Sequence, residues 1–332
     1  MTLTATRPEA PADPPPTRRA RRVRWRLPVV PLVIAVVCFL GVGVLLYPAA
    51  AAWMSQYQQS LRIDEYAHEV EVAGPDALAA ELARAADYNA TLTGGAFLDP
   101  DERIPQSDDA GAGYEGLLAA DDDGLMARVR IPAIDVDLPI YHGTTEDVLE
   151  RGVGHLEGTA LPIGGTGTHA VLTAHRGLAS AELFTNLDRV VVGDTFTVEV
   201  FGEVLTYRVR DTQVVAPDET ETLYPLAGED LVTLVTCTPL GINSHRILVT
   251  GERLLPTPPE DVARAGATPD IPGFPTWIVG LVGAAALLSL YVWWSGRPVP
   301  ARAGTAPARR ASWRPGEFEG GTSSPGASAP GK

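Results

Sequence analysis

Apolar and polar positions divide the chain into stretches of different character. Between Arg26 and Arg62 run 35 residues without a formal charge. At about 1.5 Å of rise per residue, their apolar part, Leu27 to Tyr47, is long enough for a helix across a hydrocarbon layer of about 30 Å. The uncharged run between Asp270 and Arg297 contains a second such stretch, Trp277 to Trp294. From Asp64 to about Leu92, "DEYAHEVEVAGPDALAAELARAADYNATL" has helical spacing broken at Gly74-Pro75. It puts Leu78, Leu82 and Ala85 on one face, which should lie against the domain beyond. The following "TGGAFLDPDERIPQSDDAGAGYEGLL" is rich in turn residues and has no period, which marks a long loop of the kind that is usually functional or disordered.

From Leu125 the pattern changes to short runs of Val, Ile, Thr and Leu bounded by Gly, Pro or Asp. "LMARVRIPAI", "VDLPIYHG", "THAVLTAH", "DTFTVEVF", "EVLTYRVRDTQVV", "DLVTLVTC" and "RILVTGERL" read as strands. "FGEVLTY" reads as a hairpin turning at Gly202-Glu203. Two inserts, "TTEDVLERG" and "SAELFTNL", have helical spacing, the second with Ser180 as N-cap. The predicted fold is mainly β: a closed, mostly antiparallel barrel of seven to eight strands with short helices. The predicted organisation is a disordered basic tail (1–27), a membrane span (28–52), a helical extension with its loop (60–123) and the barrel (124–255). A Pro-rich linker (256–274), a second span (275–295) and a disordered tail (296–332) follow.

Charge orients this arrangement. "RRARRVRWR" (Arg18 to Arg26) precedes the first span, and Arg297, Arg302, Arg309, Arg310 and Arg314 follow the second. Both termini are therefore expected in the cytoplasm and the barrel outside. Trp25, Tyr47, Trp53, Trp277, Trp293 and Trp294 fall where an interfacial aromatic belt belongs. A cleaved signal peptide is the rival reading of the first run, since Pro48-Ala49-Ala50-Ala51 offers small residues, but the length of the run favours a retained span. Residues 28–295 hold 37 of the 41 acidic residues and 13 of the 26 basic ones, and the chain's only lysine is Lys332. So acidic a domain repels phosphate backbones, which argues against nucleic acid as a partner.

Candidate chemistry lies in "TLVTCTPLGINSHRILV", Thr233 to Val249. The strand "LVTLV" delivers Cys237 to its end, where Pro239 and Gly241 force a loop, and the next strand begins at Arg246. If the two strands are neighbours, a guanidinium stands beside the thiol, where it favours thiolate and can hold an oxyanion. A proton carrier is also needed. Among His68, His142, His155, His169, His175 and His245, His175 closes the strand-like "AVLTAH" and can meet a cysteine across a barrel mouth. By residue type alone, a lone cysteine is more often an inert buried side chain. The other cysteine, Cys38, lies in the first apolar run, so no intramolecular disulfide is expected in the external domain. "DDDG" (Asp121 to Gly124) lacks the spacing of a calcium loop and reads as a solvated turn.

"TLVTCTP" with Arg246 downstream and "HAVLTAHRG" upstream resemble the signature of the sortases, and the two spans with a helical extension are most similar to class C, the pilus-building group. The resemblance implies a sortase-like barrel and a cysteine transpeptidase on the outer face of a Gram-positive cell membrane. Cys237 would be its nucleophile, His175 its acid and base and Arg246 its oxyanion and substrate ligand, with no metal or organic cofactor. Its partners would be an LPXTG-like sorting signal and an amine acceptor, a pilin lysine or, in housekeeping relatives, a cell-wall cross-bridge. A sortase-fold peptidase that releases to water shares the first half-reaction. Class C relatives carry an Asp-Pro-aromatic lid. Here "AFLDPDERIP" keeps Asp99 and Pro100 but has Asp101 at the aromatic position, leaving Phe97 as the available stand-in. An ordinary Asp-Pro turn is the alternative.

Overall fold

The computed structural model describes residues 25–92, 111–121, 123–269 and 271–297. It opens with α1 (Val29–Ala73), a single helix of 45 residues. The extension expected from Asp64 is therefore the continuation of the first apolar run. The reason is local: after Gly43 the sequence holds no glycine until Gly74 and is rich in Ala, Gln, Glu and Leu, which favour helix. Gly74, at φ +75°, ends α1, and Pro75 opens α2 (Pro75–Thr91) at the one helical turn that needs no backbone N–H from it.

The barrel strands are β1 (Leu125–Ile131), β2 (Val136–His142), β3 (Val153–His155), β4 (Thr168–Thr173), β5 (Thr195–Val200), β6 (Glu203–Val215), β7 (Asp230–Thr238) and β8 (His245–Arg253). Short helices α3 (Gly111–Tyr114), α4 (Glu146–Arg151) and α5 (Pro259–Val262) are interspersed, and α6 (Thr276–Ser295) follows. The strands close in the order β1-β2-β3-β4-β7-β8-β6-β5, with β5 returning to β1. Two pairs, β2 with β3 and β4 with β7, are parallel and the others antiparallel. This is the predicted fold class. The strand absent from the sequence reading is β3, whose three residues are too short to show alternation.

Two local expectations are corrected. The β5–β6 turn is Phe201-Gly202, not Gly202-Glu203: Val200 pairs with Glu203, and the two residues between them both have positive φ, as a two-residue hairpin requires. "SAELFTNL" is not a helix. Leu183 has φ +42°, and Ala181, Leu183, Phe184 and Leu187 are all buried, so the stretch wraps its apolar side chains inward without a polar helical face. It ends in a 3-10 turn, Leu187–Arg189, and Ser180 caps no helix.

The extension is fastened to the barrel. Tyr66 on α1 is buried, donates to the Met126 carbonyl at 3.3 Å and accepts the Phe201 N–H at 2.7 Å. Asn89 on α2 makes both amide bonds to Leu161, at 3.1 and 2.7 Å. Ala85 is fully buried, with Leu78 and Leu82 packed on the same core. At the other end, α6 lies antiparallel to the apolar part of α1. Trp25 Nε1 donates to the Trp293 carbonyl at 3.2 Å and Trp53 Nε1 to the Gly273 carbonyl at 2.8 Å. Both helices are long and apolar enough to cross a membrane.

Candidate active site

Three strands bring the site together. β7 and β8 are antiparallel, and in their register Cys237 is the partner of Arg246. On the other side of β7, β4 runs parallel, its last rung pairing Thr173 with Val235. The pairing extends past the strand end: the Ala174 N–H donates to the Val235 carbonyl at 3.1 Å, and Thr236 Oγ1 donates to the Ala174 carbonyl at 2.7 Å. His175 therefore emerges level with Cys237. The thiol has the arginine strand on one flank and the histidine segment on the other.

His175, Cys237 and Arg246 line one cleft together with Leu149, Leu156 and Val235. Cys237 is half-buried and unpaired. The Arg246 side chain is buried. Its Nη1 donates to the carbonyls of Asn243 at 2.9 Å and His245 at 3.1 Å, and among the described residues it forms no ion pair. Two carbonyls thus aim the guanidinium while its charge is left for a ligand. His175 Nε2 stands 3.1 Å from Glu146 Oε1 at the start of α4. A carboxylate there accepts the ring N–H and orients the imidazole.

The remaining histidines lie elsewhere. His68 is exposed on α1, and His245 bonds to Ser244 at 2.9 Å on the surface. His169 is buried between the Tyr224 carbonyl and Thr233 Oγ1, and burial lowers its pKa. His142 and His155 form a buried polar cluster with Tyr114. The Tyr114 hydroxyl is 2.7 Å from His155 Nδ1 and accepts the Gly143 N–H at 3.1 Å, while His142 Nε2 lies 2.6 Å from the Leu117 carbonyl. Burial pushes His155 down to about 4, so it is neutral at physiological pH.

Asp99, Pro100 and Phe97 lie outside the described residues. Glu146 and Tyr114 were not singled out in the sequence. Glu146 is 29 positions before His175 and has no motif of its own. Tyr114 sits in the turn-rich loop, where a lone aromatic among glycines was its only signal. At the Asp121 turn, Oδ1 accepts the N–H groups of Asp123 and Leu125 at 3.0 and 2.9 Å, while Oδ2 is buried without a hydrogen-bond partner among the described residues, so this carboxylate is not simply solvated.

Comparison with known proteins agrees with this geometry. A family model described as the Sortase domain matches residues 129–254. Among curated proteins, Sortase D of Bacillus subtilis is 29% identical over 129 residues, which are 38% of this chain and 62% of that protein. The match thus spans less than two thirds of that relative's length. Among solved structures, sortase C of Streptococcus pneumoniae, described in terms of catalysis and pilin substrate specificity, is 42% identical with a TM-score of 0.53, covering 58% of this chain and 95% of that one. Sortase C-1 of Actinomyces oris is 50% identical with a TM-score of 0.50, covering 54% and 99%. With these barrels matched almost end to end, the chain belongs to the sortase family and is class C-like.

Proposed function

We propose that this chain is a membrane-anchored cysteine transpeptidase that cleaves an LPXTG-like sorting signal between Thr and Gly and transfers the threonyl group to an amine. The observation that carries the reading is Cys237 set between His175 and Arg246 in one cleft. The Cys237 sulfur forms a bond to the Thr carbonyl carbon, and Arg246 holds the resulting oxyanion. The C–N bond to Gly then breaks, with His175 delivering a proton to the leaving amine. In the second half-reaction His175 takes a proton from the acceptor amine, whose nitrogen displaces the Cys237 thiolate.

A pilin lysine is the proposed acceptor, which would place the chain in pilus assembly; the support is the likeness to sortase C structures, one of them described for its pilin substrate specificity. The Arg clusters flanking the two apolar helices support a two-pass anchor with both termini cytoplasmic and the barrel outside.

The test is the full chain in detergent micelles with an LPXTG-type peptide, with and without a lysine-bearing acceptor peptide. Cleavage with amide formation to the lysine, lost in Cys237→Ala, supports the reading. Transfer to a cross-bridge amine in preference to lysine would favour cell-wall attachment of surface proteins. Equal hydrolysis with and without amine would make the chain a peptidase.

A further inference from the structure

The last rung between β4 and β7 joins Thr173 to Val235, so His175 and Cys237 both lie beyond the ladder that aligns their strands. The pairing brings the two segments level through the Ala174 bonds to Val235 and Thr236, and the residues next in line add further contacts across it. Arg176, with 9% of its side chain exposed, divides its guanidinium among three segments: Nη1 donates to Thr238 Oγ1 at 2.9 Å, Nε donates to the Thr185 carbonyl at 3.0 Å, and Nη2 pairs with Asp188 Oδ2 at 2.7 Å. Thr238 directly follows Cys237, as Arg176 directly follows His175.

One position further on, Gly177 (φ +75°) lies so close beneath Leu240 that an added Cβ would meet Leu240 Cδ2. Its N–H donates to Thr185 Oγ1 at 3.0 Å. The His175 carbonyl accepts the Phe184 N–H at 3.1 Å, and Phe184 is fully buried in the core. The histidine segment is therefore tied on one side to a core-rooted turn and on the other to the segment leaving Cys237.

We propose that Arg176 is a positioning residue, a latch through Thr238 that sets the distance between the His175 ring and the Cys237 thiol. A buried guanidinium costs desolvation that an apolar side chain would not, so a role confined to stability is poorly served by arginine. A planar fork that reaches a hydroxyl, a carbonyl and a carboxylate at once is suited to fixing three segments in one geometry. The inference rests on the transpeptidase reading, in which proton transfer between His175 and groups held on Cys237 needs that distance.

The test uses the full chain in detergent micelles, comparing wild type with Thr238→Val, which removes the acceptor of the Arg176 bond, and Thr238→Ser, which keeps it. Misplacing reacting groups by about 1 Å costs on the order of 100-fold in rate, so Thr238→Val should lose about tenfold or more in kcat for cleavage of an LPXTG-type peptide. Its KM should stay within about twofold, because substrate contacts are untouched, and Thr238→Ser should recover wild-type kcat to within about threefold. A folded Thr238→Val with wild-type kcat, or a Thr238→Ser as slow as Thr238→Val, overturns the latch. If wild type cleaves no peptide, the transpeptidase reading fails, and the latch is judged by the pH dependence of Cys237 alkylation by iodoacetamide, read on the Cys237 peptide by mass spectrometry. A profile displaced in Thr238→Val and restored in Thr238→Ser then upholds it, and coincident profiles for wild type and Thr238→Val overturn it.

Discussion

Cys237 and Arg246 are register partners on β7 and β8, and the arginine's Nη1 is fixed by the carbonyls of Asn243 and His245. The guanidinium thus keeps its charge beside the thiol in a set orientation. In the proposed reaction a fixed cation there would hold the oxyanion that forms on attack.

Replacing Arg246 with Ala should lower kcat/KM for a sorting-signal peptide by about 100-fold or more, the range seen when one oxyanion donor is removed. Arg246→Lys should recover only part of this, since an ammonium keeps the charge but not the fork that reaches two carbonyls and a ligand together. Steady-state kinetics on the three proteins decide it. Wild-type turnover in Arg246→Lys would mean that charge alone is used.

Glu146 touches the His175 ring at 3.1 Å with a side chain 60% exposed. An ion pair so open to solvent contributes less than about 1 kcal/mol to stability. Glu146→Gln should therefore leave the thermal midpoint within about 2 °C of wild type. Its kcat should fall severalfold, because the imidazole loses the carboxylate that orients it. An unchanged kcat would show that the ring is oriented by other contacts.

Tyr114 and Tyr88 make a contrasting pair. The Tyr114 hydroxyl serves both His155 Nδ1 and the Gly143 N–H, whereas the Tyr88 hydroxyl is a buried oxygen without a hydrogen-bond partner among the described residues. Tyr114→Phe leaves the buried His155 Nδ1 and the part-buried Gly143 N–H without that partner and should cost about 1–3 kcal/mol. Tyr88→Phe removes an unpaired hydroxyl and should be neutral or stabilising. Denaturant midpoints of the two variants check this; equal losses would refute the assigned network.

Most of the barrel and the three groups at its mouth were legible before any coordinates. Strand signals are local, and Cys237, His175 and Arg246 all sit at strand ends where a turn residue follows or a new strand begins, so one-dimensional pattern sufficed to single them out. What pattern could not supply was which strands are neighbours. The level placement of His175 with Cys237 comes from a parallel pairing across 62 residues, and nothing in either segment names the other. The contacts of Glu146, Tyr114 and Arg176 come from such long-range juxtaposition. The same limit explains "SAELFTNL": its spacing fits a helix, but Phe184 and Leu187 are drawn into the core from a turn. Tertiary burial outweighs a propensity difference of a few tenths of a kcal/mol per residue.

Acid should unfold this barrel partly through His155. Its folded-state pKa is depressed to about 4 by burial against an ordinary value of 6.5. Above that ordinary value neither state holds the proton, and His155 adds no pH dependence. As pH falls from 6.5 towards 4 the unfolded chain binds a proton that the folded barrel refuses, so stability declines, by a total of about 3 kcal/mol once both values are passed. His169 is depressed by burial and acts in the same direction. Glu157 and Asp230 are raised by burial and oppose it, because the folded state takes up their protons first. Denaturant midpoints measured at several pH values between 7.5 and 4 should therefore fall on acidification. His155→Gln, although less stable at neutral pH for want of its bond to Tyr114, should show a shallower fall. Parallel slopes for the two proteins would mean that His155 is protonated in the folded barrel, and that its contact with Tyr114 is not between neutral groups.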